Sequence, residues 1–218
     1  DAGHQAADLL AMVEGGEKTL CYFASSYLAE RVPEIAVLDL PFVIKSRAQA
    51  YAALDGALGV RLAERIGAAT GYRVLAFWDN GFRHLSNRVR PIREPKDCRA
   101  LRIRTLSSAL HTEIFRRLGF DPVTLDVKEL VAAVRAGTID AQDNPLTNIY
   151  NFGIHEFHRH ITLSAHFFGA ATLLCHKASY DAWPDEVRRA MAEAVAEATG
   201  AQREFAAAED DRVRAALR

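Results

Sequence analysis

Apolar positions along this chain switch repeatedly between helical spacing and short continuous runs. Residues 4–13 place Ala7, Leu10 and Ala11 on one helical face, and Gly15-Gly16 stops the pattern. Thr19 to Ala24 and Ala36 to Leu40 read as short strands, the second closed by Pro41. Residues 47–69 carry Tyr51, Leu54, Leu58, Leu62 and Ile66 at three- and four-residue intervals, which predicts one long helix ending at Gly71. Arg73 to Trp78 follows as a strand, and Asn80-Gly81 is a turn signal. Leu101 to Thr105 alternates, with Leu101 and Ile103 on one face and Arg102 and Arg104 on the other. Ser107 or Ser108 can cap a helix running to Leu118, with Gly119 just past its end. Asp126 with Glu129 three residues later is a capping-box pattern before a helix that Gly137 closes. Thr138 to Asp140 is strand-like. Ile161 to Ser164 and Ala170 to His176 predict two buried strands, and Ser179 to about Ala208 predicts a long Ala-rich helix. The alternation of helices and strands makes this an α/β protein.

Composition narrows the class. The chain has 218 residues, half of them hydrophobic, enough for one large domain or two small ones. Its formal net charge is −1, with no basic block to attract nucleic acid. No apolar stretch is long enough to span a bilayer. Cys21, Cys98 and Cys175 are odd in number and widely spaced, so they give neither a disulfide framework nor zinc spacing. The chain starts at Asp1 without a signal peptide, as a processed secreted protein or a cloned fragment would.

The candidate chemistry lies between Trp78 and Pro145. Arg104 sits at the carboxyl end of its strand, where ligands bind in open α/β sheets, and a helix N-terminus follows. Its guanidinium fork matches both oxygens of a carboxylate. The bland alternative is a surface arginine paired with a nearby acid. Asn144, in Gln142-Asp143-Asn144-Pro145, can orient a ligand or simply mark an Asn-Pro turn. Arg83 follows the Asn80-Gly81 signal and is a second basic candidate, or a solvated loop arginine. Trp78, Phe42, Phe167 and Phe168 can wall an apolar pocket or belong to the core. Ser107 can bond a ligand oxygen or cap a helix. His155, His158, His160 and His166 have some of the spacing of a metal site, but Gly153 weakens a helix there and no cysteine partner is near, so no metal and no cofactor are expected. No nucleophile elbow or glycine-rich phosphate loop is present.

These segments, with Ser25 to Leu28, Val37 to Phe42, Pro91-Ile92-Arg93 and Tyr180 to Pro184, together resemble the solute-binding proteins of tripartite ATP-independent periplasmic (TRAP) transporters, the DctP type. The resemblance implies a two-lobed, type II-like binding-protein fold with hinge strands and a long C-terminal spanning helix. Lobe I would comprise residues 1–80 plus 170–204, and lobe II residues 81–169 plus 205–218. It implies a periplasmic, non-enzymatic protein that captures a small organic acid and delivers it to TRAP membrane permease subunits. Arg104 matches the family's carboxylate-binding arginine, Asn144 the asparagine of its Gln-Glu-Asn-Pro motif, and Arg83 a less uniformly used basic residue. Asp143 and Ala141 replace the usual glutamate and glycine, and Val127 stands where many members have phenylalanine, which leaves the acid unnamed. By comparison a strand-helix-strand unit ahead of the first helix is absent, so lobe I is expected to be incomplete and open to self-association. An enzyme acting on a carboxylic acid, with His84 or His166 as base, and a ligand sensor of the same fold are the alternatives.

Overall fold

The computed structural model describes residues 4–217. Six strands form one sheet: β1 (Leu20–Ala24), β2 (Tyr72–Asn87), β3 (Arg102–Thr105), β4 (Asp121–Thr124), β5 (Ala141–Pro145) and β6 (His160–His176). Their order is β1-β6-β2-β5-β3-β4. β3 runs parallel to β4 and β5, and the other pairings are antiparallel. The helices are α1 (Ala6–Glu14), α2 (Arg47–Asp55), α3 (Ala57–Ala69), α4 (Ala109–Arg117), α5 (Val127–Ala136), α6 (Leu146–Asn151), α7 (Lys177–Ala182) and α8 (Asp185–Ala216).

Two lobes share the long strands β2 and β6. One core gathers Ile35, Leu38, Leu62, Ile66, Tyr72, Phe77 and Leu174. At the other end of the sheet, Ile103, Phe115, Phe120 and Phe167 form a second core, and Leu130, Val134, Ile149 and Val213 a third. Between the ends, Gly81 pairs with Gly169, and the β2–β6 register slips on either side of that pair. Gly81 has φ +102°, and a Cβ there would stand 3.0 Å from the Pro145 side chain. Only glycine suits that backbone. α8 reaches from one end to the other. Thr199, Gln202 and Arg203 bond to β2, while Val213 is buried in the third core.

Several elements depart from the sequence expectation. Residues 36–40 lie mostly in a 3-10 turn (Pro33–Asp39), because Ile35 and Leu38 are buried at a spacing of three. The helix expected over 47–69 breaks at Gly56, which is extended. Asn80-Gly81 makes an irregularity inside β2 rather than a turn. The two late strands are one, β6, carrying Ala165 at φ +45°. Trp183-Pro184 divides the C-terminal helix into α7 and α8. Thr138 to Asp140 precedes β5 rather than belonging to it. β4 carries no strand pattern in the sequence; it contains Pro122, which a sheet-edge position tolerates. Other signals match the observed local structure. Ser108 accepts a bond from His111 N, the Asp126–Glu129 capping box is closed, and Gly137 takes the left-handed conformation after α5.

Candidate ligand-binding site

β5 lies between β2 and β3, so its end stands between Arg83 and Arg104. Arg104 occupies the last turn of pleat in β3, beside Gln142, and is only 2% exposed. Its Nε donates to Leu125 O at 2.9 Å. Its Nη2 is buried without a hydrogen-bond partner, and Arg104 forms no ion pair among the described residues. Burial pulls its pKa below the usual arginine value; Tyr27 opposes this, the nearby Arg83 charge adds to it, and Asp143 opposes it. A buried cation in this condition favours any anion that reaches it.

Arg83 is in a different state. Its Nε meets Asp143 Oδ2 at 2.5 Å, and its Nη2 donates to Asp143 O at 2.6 Å. Burial alone would lower its pKa, but the Asp143 carboxylate outweighs that and raises it. Asp143 is itself fully buried. Desolvation pushes its pKa up, yet Arg83 and His166 hold the carboxyl well below the usual range. His166 Nε2 lies 3.4 Å from Asp143 Oδ2. Across the lobes, His111 Nε2 on α4 lies 3.2 Å from Asp39 Oδ2, both side chains being buried.

Asn144 ends a chain of amides. Its Nδ2 donates to Gln142 Oε1 at 2.5 Å, and its Oδ1 accepts from Asn148 at 3.3 Å. Gln142 in turn donates to Ser86 Oγ at 2.6 Å, which bonds His158 Nδ1. The remaining candidates scatter. Ser107 is exposed in a depression of about 430 Å³ shared with Glu30, Pro33 and Ala36, while Ser108 does the capping. Trp78 turns to α8, its Nε1 donating to Thr199 Oγ1 at 2.8 Å. Phe167 stacks on His111 in one core, and Phe168 packs on Phe82 in the other. Phe42 is 60% exposed at φ +61°, with its backbone N–H on His166 O. The histidines are dispersed: His155 stacks on Tyr150, His158 bonds Ser86, and His166 bonds Ser164. Among the described residues no three His, Cys, Asp or Glu side chains are placed to hold a metal ion.

The sequence matches the DctP family, described as bacterial extracellular solute-binding protein, family 7, over residues 4–218. The chain belongs to that family. A relative, a solute-binding protein of Verminephrobacter eiseniae, is 34% identical over 84% of this chain and 54% of its own length. This chain therefore spans about half of that relative. Two solved TRAP periplasmic solute-binding proteins share the fold. One, from Polaromonas sp. JS666 and bound to D-erythronate, matches at TM-score 0.94 and 28% identity, covering 99% of this chain and 71% of that one. The other, from Sulfurospirillum deleyianum with bound succinate, matches at TM-score 0.94 and 27% identity, covering 99% and 69%. The DctP family is a solute-binding family of transport systems, not an enzyme family. No helix among the described residues is long and apolar enough to cross a membrane.

Sequence reasoning missed three contributors: Asp143 as the counter-ion of Arg83, Tyr27 beside both arginines, and the Asp39–His111 contact. Only Asp143 left a local signal, being a carboxylate next to Asn144 in the same short motif. The others depend on contacts between distant segments.

Proposed function

We propose that this chain captures a small organic acid between its lobes, in the periplasm, and presents it to TRAP membrane permease subunits. Arg104 anchors the ligand carboxylate. Asn144 orients the ligand through its remaining amide hydrogen, and Arg83, braced by Asp143, contributes a donor. The observation that supports this most directly is the buried Arg104 guanidinium, which has an unpartnered Nη2 and no ion pair among the described residues. The acids bound to the two structural neighbours are consistent with it.

The lobe division we assign is 1–80 plus 170–204 for lobe I and 81–169 plus 205–218 for lobe II. Residues 1–3 and 218 of those ranges lie outside the described residues. The boundary falls on the Gly81–Gly169 pair, whose small residues and slipped register suit a hinge. Ligand binding would close the lobes about it. Self-association is a further part of this proposal. Among the described residues β1 pairs only with β6, and Leu20 and Tyr22 on it are 39% and 45% exposed, so its outer edge can accept a second copy.

Calorimetric titration with D-erythronate and with succinate tests the reading. Arg104→Ala should weaken whichever acid binds by about tenfold or more. Arg104→Lys should also be impaired, because the fork is lost. Unchanged affinity in Arg104→Ala would remove Arg104 from the site and the proposal with it.

A further inference from the structure

A chain of buried hydrogen bonds leads from Asn144 to a histidine. Ser86 faces Gln142 across the β2–β5 pairing, and Asn144 lies two residues further along β5 on the same face. Asn144 Nδ2 donates to Gln142 Oε1 at 2.5 Å, and Gln142 Nε2 donates to Ser86 Oγ at 2.6 Å. Ser86 Oγ lies 2.9 Å from His158 Nδ1. His158 sits between the 3-10 turn Ile154–Glu156 and β6, its backbone N–H bonded to Ile154 O. The four side chains are at most 4% exposed, so bulk water cannot repair a mismatched bond.

Each link constrains the next. An amide has one donating and one accepting end, and a hydroxyl has a single proton. Gln142 Nε2 uses a lone pair of Ser86, which leaves the Ser86 proton for His158. His158 Nδ1 is then the bare ring nitrogen, and the ring proton is on Nε2. A proton on Nδ1 would aim two donors at Ser86. Its hydroxyl proton and the Nε2 lone pair would then both lack a partner among the described residues. With the proton on Nε2, that N–H is the one unmatched group of the chain. Burial, with the Arg88 charge adding to it, holds the ring pKa down to about 4, so the imidazole keeps a lone pair at neutral pH.

The chain can run the other way, but as a unit: Nδ1–H to Ser86, Ser86 to the Gln142 carbonyl, and Gln142 to the Asn144 carbonyl. That reversal exchanges Nδ2 and Oδ1 of Asn144 and sets its N–H group against that of Asn148. A carboxylate oxygen placed at the remaining Nδ2 hydrogen would then face a carbonyl oxygen.

We propose that His158 is a positioning residue of the ligand site: its Nε2–H tautomer, acting through Ser86 and Gln142, fixes which end of the Asn144 amide faces the ligand. This rests on the carboxylate-capturing reading above and adds a determinant separated from Asn144 by two side chains.

Nitrogen-15 NMR of the His158 ring in the unaltered protein at neutral pH reads the tautomer. The proton should be on Nε2, and a proton on Nδ1 would overturn the inference before any ligand is added. Calorimetry then follows D-erythronate and succinate through a double-mutant cycle. Ser86→Ala should weaken whichever acid binds by about fivefold. In the Asn144→Ala background the same substitution should have no further effect, because the group it positions is gone. Equal affinity in Ser86→Ala and the unaltered protein, or losses that simply add in the double variant, would overturn the inference. If Arg104→Ala still weakens binding in either case, carboxylate capture stands without it. If neither acid binds the unaltered protein, capture and positioning fall together. If Ser86→Ala does not fold, the ring tautomer decides alone.

Discussion

On the proposed function, Arg104 is the residue where binding and stability pull in opposite directions. A guanidinium buried without a counter-ion costs the ligand-free fold, and an apolar side chain of similar length removes that cost. Arg104→Met should therefore raise the stability of the ligand-free protein by about 1 kcal/mol or more while abolishing binding. Denaturant titration checks the first outcome, and a less stable variant would show that the Leu125 carbonyl bond matters more than the unpaired charge. Two histidines set an acid limit. Burial pushes His84 and His158 down to about 4 from an ordinary 6.5. His84 Nδ1 also accepts the backbone N–H of Ala165 at 3.0 Å, a bond the imidazolium cannot make. A depressed folded-state pKa means the unfolded chain binds more protons, so stability is complete above about 6.5 and falls as pH drops towards 4. Each histidine should cost about 1–2 kcal/mol between pH 7 and 5. Melting curves at the two pH values should separate, and His158→Gln should narrow the gap. Equal melting temperatures would show that the histidines titrate normally.

At the scale of elements, the proposed hinge depends on glycine for geometric reasons. Gly81→Ala places a methyl group on a backbone at φ +102° and against Pro145. It should destabilise the protein by about 1–3 kcal/mol. Chemical denaturation would reveal it, and a neutral substitution would mean the strands re-register freely. Element-scale legibility follows the range of the interactions. The starts of α4 and α5 and the end of α5 were readable because Ser108, Asp126, Glu129 and Gly137 act within a few residues of themselves. The break between α2 and α3 was not, because the apolar stripe continues across Gly56 although the backbone does not. Asn80-Gly81 signalled a turn, but pairing with β6 on both sides carried the chain straight through as a strand. Trp78 and the two adjacent phenylalanines were ambiguous for a related reason. An aromatic residue does not announce which lobe, cleft or helix it will face. The position of Arg104 at a strand end was local, whereas its lack of a counter-ion emerges only when the strands and both lobes are assembled.

The whole molecule can be followed in one scattering experiment. Small-angle scattering with D-erythronate should show a smaller radius of gyration than without it, and an unchanged profile at saturation would argue for a preformed pocket. Light scattering on the same samples should show a mass above that of one chain if the β1 edge pairs with another copy. A strictly single-chain mass would show that the edge is not used. On the proposed closure, lobe rotation must also involve α8. The helix is about 48 Å long at the usual rise per residue. One stretch is fastened to β2, where the Gln202 side chain takes both the N–H and the C=O of Asp79 in the manner of a neighbouring strand. Further along, Val213 is embedded in the opposite core and Arg212 lies over Tyr150. On the proposed closure this makes α8 a beam clamped at two points, so turning one lobe against the other bends it. Part of the binding energy is then stored elastically and returned when the ligand leaves. The weakest place in the beam is Gly200, a helix-interior glycine with open space around it, just before the Gln202 clamp. Stiffness along α8 thus becomes one of the quantities that set how tightly the cleft holds its ligand.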